Sequence, residues 1–220
     1  MSLHANHYFP IFLDLTNLNI LIVGGGKVGT KRALKFQEYG AKVSVWSLDF
    51  SDELVKNERI EKVKMDASQL GKEYLGKFDI IVTATNDPVL NSNICSMAKE
   101  IRKLCNNPTN PSESSFIVPI FYEDEDIGIA VTTLGKSSIM SKVILEKALD
   151  TLRSDPRILL ELKVMGQVKE LLKNRVKDPS IRFNLYQKIF IDKQFESFIN
   201  SGKVNDAMKR AEEIIDGASV

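Results

Sequence analysis

The sequence predicts an α/β fold: a parallel sheet covered by helices on both faces in the N-terminal half, then a small strand hairpin, then a helical C-terminal domain. Three observations predict it. Short apolar runs rich in β-branched residues alternate with helical patterns up to about residue 104. A glycine cluster follows the first of these runs at once. From Ser137 onward the apolar spacing is helical to the end. Strands alternating with helices produce parallel, doubly wound sheets, because each crossover helix buries a sheet face.

Taken in order, residues 18–23, Leu-Asn-Ile-Leu-Ile-Val, read as a strand buried on both faces. Residues 27–39 place Val28, Ala33, Leu34 and Phe36 among charged residues, a helical pattern that Gly40 ends. Residues 42–46 form the next strand and complete a first βαβ unit. A short helix over 52–57, a strand over 60–65 and a buried strand over 78–84 follow. Asn86-Asp87-Pro88 is a turn whose side chains can cap a helix running from Pro88 to about Arg102. Residues 106–115 hold two prolines and almost nothing apolar, which predicts a loop beyond a strand end. Residues 116–122 and 127–133 read as an antiparallel hairpin around the solvated acidic turn 123–126. Beyond it Ile139, Val143, Ile144 and Ala148 share a helix face, and Pro156, Pro179 and Gly202 punctuate later helices. The expected domains are 1–115, 116–150 and 151–220.

With 220 residues the chain has room for one or two domains at about 100–200 residues each. Lys plus Arg number 30 and Asp plus Glu 29, so the net charge of +1 supports neither a nucleic-acid nor a membrane partner. No apolar run approaches the roughly 20 residues of a membrane span, and no secretory signal is visible. Cys95 and Cys105 fit no metal-ligand spacing and read as buried free thiols in a reducing cytoplasm, the expected compartment. The two histidines, His4 and His7, read as surface residues, and no resident metal is expected.

The sharpest signal is Gly24-Gly25-Gly26-Lys27-Val28-Gly29, which fits G-x-G-x-x-G. Standing between a predicted strand and a predicted helix, it is the fingerprint of a dinucleotide-binding Rossmann domain. Gly24 permits the tight turn, Gly26 lets backbone approach a diphosphate, and Gly29 lets helix and sheet pack closely. The helix start then offers N–H groups and positive potential to the phosphates. Near the end of the second strand, where such domains carry a ribose-binding acid, stand Ser47 and Asp49, the latter expected in the loop beyond. No arginine stands there to hold a 2′-phosphate, which favours NAD over NADP.

Further segments resemble the precorrin-2 dehydrogenase family, the N-terminal module of sirohaem synthases. Tyr8 to Leu15 resembles the family's opening strand, and Val23 to Gly29 with Lys31-Arg32-Ala33 its glycine turn and following basic residues. Val82-Thr83-Ala84-Thr85-Asn86-Asp87, Cys105-Asn106, Ser115 to Pro119 and Ile129 to Ser138 match later segments in order, so the resemblance covers about residues 8–150. It implies oxidation of precorrin-2 to sirohydrochlorin with reduction of NAD, insertion of ferrous iron in some members, and a homodimer formed through the 116–133 hairpin.

Such an oxidation needs a bound hydride acceptor and a group that takes up a proton. Many members carry an Asp four residues after the position of Cys105; here that residue is Thr109, a poor base, which bears on the proton step and above all on chelation. Asp87 is the remaining carboxylate at the expected cleft, and helix capping is its plain alternative role. Thr85 and Asn86 are candidates for the cofactor side, Asn106 and Thr109 for the substrate side. The family's substrate carries eight carboxylates, and Lys136, Ser137 and Ser138 at a predicted helix start are candidates for holding them. Lys31 and Arg32 read as solvated helix residues. A non-catalytic NAD sensor, a tetrapyrrole carrier of the same fold and a dehydrogenase of another small acid remain open alternatives.

Overall fold

Thirteen consecutive residues that read as strand, glycine turn and helix, 19–31, form the hinge between sheet and helix layers in the computed structural model, which describes residues 8–218. The chain divides into two compact units, with the boundary between Val118 and Pro119.

The first unit holds β1 (Asn19–Gly25), α1 (Lys27–Glu38), β2 (Lys42–Phe50), α2 (Asp52–Lys56), β3 (Glu61–Lys64), α3 (Lys72–Leu75), β4 (Ile80–Thr83), α4 (Pro88–Glu100) and β5 (Leu104–Asn106). The five strands are parallel in the order β3-β2-β1-β4-β5. Side chains alternate between the faces, which is why the central strands are apolar throughout. Ile20, Ile22, Val43, Val45, Ile80 and Val82 pack under Ala33 and Phe36 of α1 and Leu54 of α2. Leu21, Val23, Ile81 and Cys105 face the other way, against Ile94, Cys95 and Ala98 of α4 and Leu75 of α3. Successive crossovers leave β1 in opposite directions, so the strand order reverses between β1 and β4, where such sheets bind ligands beyond the strands' carboxyl ends.

Four expectations change. Residues 8–15 form no strand; Leu15 packs against the α1-side core, whereas Phe9, Ile11 and Phe12 are exposed. β2 runs on to Phe50, pairing it with Gly25 across a register shift, so Asp49 belongs to a strand and not to a loop. The hairpin, β6 (Ile120–Glu123) with β7 (Gly128–Val131), is shorter than expected, because Phe116 and Val118 are drawn into the first unit's core. Cys95 of α4 and Cys105 of β5 are not free thiols: they are joined by a disulfide, with Cα atoms 5.4 Å apart. Helix α4 lies on the face to which Cys105 points, which brings the two sulfurs together.

The second unit adds α5 (Ser138–Ser154), α6 (Pro156–Arg175), α7 (Pro179–Phe190), α8 (Lys193–Asn200) and α9 (Val204–Asp216). Asp155, Asp178 and Asp192 accept N–H groups at the starts of α6, α7 and α8, and proline opens α6 and α7. The core of this unit lies among α6–α9, around Val168, Ile189, Phe195, Ala207 and Ala211. α5 packs on the hairpin and buries Ser141 and Leu145, leaving Ile139 75% exposed. No helix among the described residues is long and apolar enough to cross a membrane.

Candidate functional site

Each glycine of the turn answers a different local demand. Gly24 has φ +114°, and a Cβ there would meet the Ala84 carbonyl oxygen at 2.5 Å. A Cβ on Gly29 would collide with the Gly24 carbonyl, so α1 can seat its first turn on β1 only without a side chain. A Cβ on Gly25 would collide with the carbonyl of Asp49, which the extension of β2 brings across the turn. Among the described residues nothing lies within 4 Å of a Cβ on Gly26. Packing alone therefore does not require glycine at 26, and its backbone is open to close approach. Gly26 is also the N-cap of α1 without a side-chain hydrogen bond, and the first turn holds no acid. The N–H groups that every helix start leaves unsatisfied thus face outward beside Lys27 and Val28, both exposed. Uncapped, positive and open, this turn fits the diphosphate of a dinucleotide.

The ends of β2 and β4 flank the turn. Ser47 is half-buried and Asp49 exposed, both on β2. Beyond β4, Thr85 is held by Asn91, a fully buried residue of α4: the Thr85 hydroxyl and N–H both donate to Asn91 Oδ1, at 2.7 and 3.2 Å, and Asn91 Nδ2 donates to the Thr85 carbonyl at 3.1 Å. Asn86 is exposed. Asp87 caps α4, its Oδ1 accepting the N–H groups of Val89 and Leu90 at 2.9 and 3.1 Å. The capping role is therefore present, and it commits one carboxylate oxygen of two.

At the end of β5, Asn106 is buried; its Nδ2 donates to the Phe116 carbonyl at 3.0 Å while its Oδ1 has no partner among the described residues. Thr109 is exposed, and its hydroxyl donates to Asn107 Oδ1 at 2.6 Å. Asn107, wholly buried, also donates through Nδ2 to Glu113, which accepts from Ser92 of α4 at 2.7 Å. The sequence reading missed Asn91, Asn107 and Glu113. Asn91, four residues after its cap, lies on the buried face of α4, and a polar residue on an apolar helix stripe was the available signal. Thus the glycine turn, Ser47, Asp49, Thr85, Asn86, Asp87, Asn106 and Thr109 share the carboxyl edge of one sheet.

Lys136, Ser137 and Ser138 belong to the second unit. Ser137 is the N-cap of α5, its oxygen accepting the Met140 N–H at 3.2 Å, and Thr133 brackets it by two 2.9 Å bonds. Lys136 and Ser138 are exposed. His4 and His7 lie outside the described residues. Arg32, expected to be solvated, is instead half-buried, and burial pushes its guanidinium below its usual pKa. No residue within the described chain offers it a hydrogen bond or ion pair.

Comparison with known proteins agrees with this geometry. Residues 11–120 match the family described as "Putative NAD(P)-binding". A Methanocaldococcus jannaschii protein named "Putative precorrin-2 dehydrogenase" is 30% identical over 194 residues, covering 84% of this chain and 91% of the relative. Siroheme synthase 1 of Pectobacterium atrosepticum is 24% identical over 91% of this chain, which spans only 41% of that longer protein. The solved structure of SirC, a precorrin-2 dehydrogenase, superposes with a TM-score of 0.66 at 24% identity, covering 94% of this chain and all of that one, and shows the shared fold. With its dinucleotide turn and this relationship along most of its length, the chain belongs to the precorrin-2 dehydrogenase family.

Proposed function

We propose that the protein oxidises precorrin-2 to sirohydrochlorin, with NAD as the oxidant. The observation that carries the reading is the open, acid-free start of α1 at Gly26, in a chain related along most of its length to a precorrin-2 dehydrogenase. Bound there, NAD supplies a hydride acceptor, and the substrate loses one hydride and one proton. The N–H groups of Lys27, Val28 and Gly29 hold the diphosphate, and Ser47 and Asp49 the adenosine ribose on the β2 side. Thr85 and Asn86 border the nicotinamide on the β4 side. Asp87 takes the proton, its Oδ2 being free of the cap that Oδ1 serves. Thr109, whose hydroxyl hydrogen is given to Asn107, lines the substrate side with Asn106 and is no base. Iron insertion stays outside this reading, because the carboxylate many members have at 109 is replaced by that committed hydroxyl.

In the second unit, Lys136 and Ser138 at the positive end of α5 are proposed carboxylate contacts, with Ser137 holding the helix start. A homodimer through the hairpin is supported by apolar residues exposed there and on α5, Ile120, Ile139 and Ile144. Anaerobic incubation with precorrin-2 and NAD tests the reading: NADH and the sirohydrochlorin spectrum are expected together. Pigment binding without NADH would turn the conclusion to a carrier, and NAD binding without pigment binding to a sensor.

A further inference from the structure

The helix that begins at the glycine turn carries a cation that makes no ion pair or hydrogen bond among the described residues. Arg32 lies in the second turn of α1, half-buried, and the loss of solvent pushes its guanidinium pKa down. Withdrawing a cation from water without an anion beside it is costly. Such a place suits a side chain that pairs with an anionic ligand.

Helix geometry says on which side the ligand lies. Gly29, Ala33 and Phe36 face the sheet. Thr30 marks the flank towards β2, since its hydroxyl lies 2.8 Å from that of Ser51, just beyond β2, and bonds the Gly25 carbonyl. At 3.6 residues per turn, Arg32 is about 160° from Thr30 around the helix. With β2 and β4 on opposite sides of β1, Arg32 therefore overhangs the β4–β5 half. Long helical side chains lean back towards the helix start, so this one runs towards the edge that carries Thr85 and Asn106. Asn106 points to the same face of the sheet, being paired with Val82, and its Oδ1 is buried without a partner among the described residues. The adenosine half of a dinucleotide belongs on the other side, over β2, and the diphosphate already has the amides of α1.

We infer that Arg32 binds a carboxylate of the substrate, holding it over the β4–β5 half of the sheet. This rests on the oxidation proposed above and assigns a positioning group to it. Guanidinium and carboxylate match in a planar, two-bond geometry that lysine cannot reproduce in full.

The test compares the parent protein with Arg32→Gln, Arg32→Lys and the exposed neighbour Lys31→Gln. Arg32→Gln is expected to raise KM for precorrin-2 about tenfold or more, with the NAD Kd within about twofold of the parent, as loss of a charge-assisted bond implies. Arg32→Lys recovers part of the loss, and Lys31→Gln matches the parent. A weakened NAD Kd with unchanged KM for precorrin-2 would give the guanidinium to the cofactor's phosphates and overturn the assignment. Unchanged values for both overturn it as well. If the parent binds NAD but forms no NADH from precorrin-2, the oxidation reading fails by itself. Titration with sirohydrochlorin then decides Arg32: equal affinity in parent and Arg32→Gln removes it, and a tenfold loss keeps it as a polycarboxylate contact. An Arg32→Gln protein that does not fold leaves the Lys variant to carry the same comparison.

Discussion

The hydroxyl of Thr85 donates to the side-chain oxygen of Asn91 at 2.7 Å, tying the turn after β4 to a fully buried amide in α4. Asn91→Ala leaves the Thr85 N–H and carbonyl without that partner. We expect a stability loss of about 1–3 kcal/mol, the usual cost of an unsatisfied buried group. Because the turn borders the proposed nicotinamide position, NAD affinity falls with it. Denaturant unfolding and calorimetry check both, and an unchanged NAD Kd would separate the turn from the cofactor.

The three glycines predict distinct failures. Gly26→Ala adds a Cβ into open space, so the protein folds normally but loses more than about tenfold in NAD affinity. Gly24→Ala and Gly29→Ala meet backbone carbonyls and lose stability itself, by about 2 kcal/mol or more. Melting curves and NAD titrations of the three variants distinguish a ligand-facing glycine from packing glycines. Normal NAD binding by Gly26→Ala would remove the diphosphate from this turn.

The Cys95–Cys105 link closes a short loop, ten residues apart in sequence. Constraining such a loop in the unfolded chain is worth about 3 kcal/mol. Reduction, or replacement of both cysteines by alanine, is therefore expected to lower stability by about that amount, with secondary structure retained. Alkylation of the unfolded protein without reductant should label neither cysteine; labelling of both would show free thiols.

Asp192 caps α8 and also receives Arg210, through Nε at 3.1 Å and Nη2 at 2.9 Å. The Arg210 hydrogen bond, foremost, holds the Asp192 carboxyl below the usual carboxylate range. A carboxyl whose folded pKa is depressed stabilises the fold above its unfolded value, about 3.9, and that contribution is lost as pH falls through the folded value. The helical unit is thus expected to lose stability below about pH 4. Asp192→Asn keeps a capping side chain and flattens the acid limb of the stability curve, whereas Asp192→Ala also forfeits the cap, a further 1–2 kcal/mol or about that. Thermal melts across the acid range check this, and an identical acid limb in Asp192→Asn would exclude the pair as its source.

Legibility in the sequence followed the range of the interactions. Gly24, Gly26 and Gly29 could be placed on a strand–turn–helix because that motif is contiguous and its demands are local. Asp87 was recognisable as a cap beside Pro88 for the same reason. Asn107 was not: its role depends on Thr109, Glu113 and, through Glu113, on Ser92 of α4, which meet only when α4 packs beside the loop. The opening segment misled, since the strand expected for Tyr8 to Leu15 rested on family resemblance alone, and no strand among the described residues pairs with it.

By itself the sequence determined the alternation of strands and helices, the dinucleotide turn and the family, because periodicity and glycine spacing act within a few residues. Tertiary structure decided that Cys95 meets Cys105, that Asp49 stands on a strand, and that Arg32 is partly withdrawn from water with no partner among the described residues. Each depends on which sheet face or helix flank a side chain is turned to, and what packs there is set by segments far away in the chain.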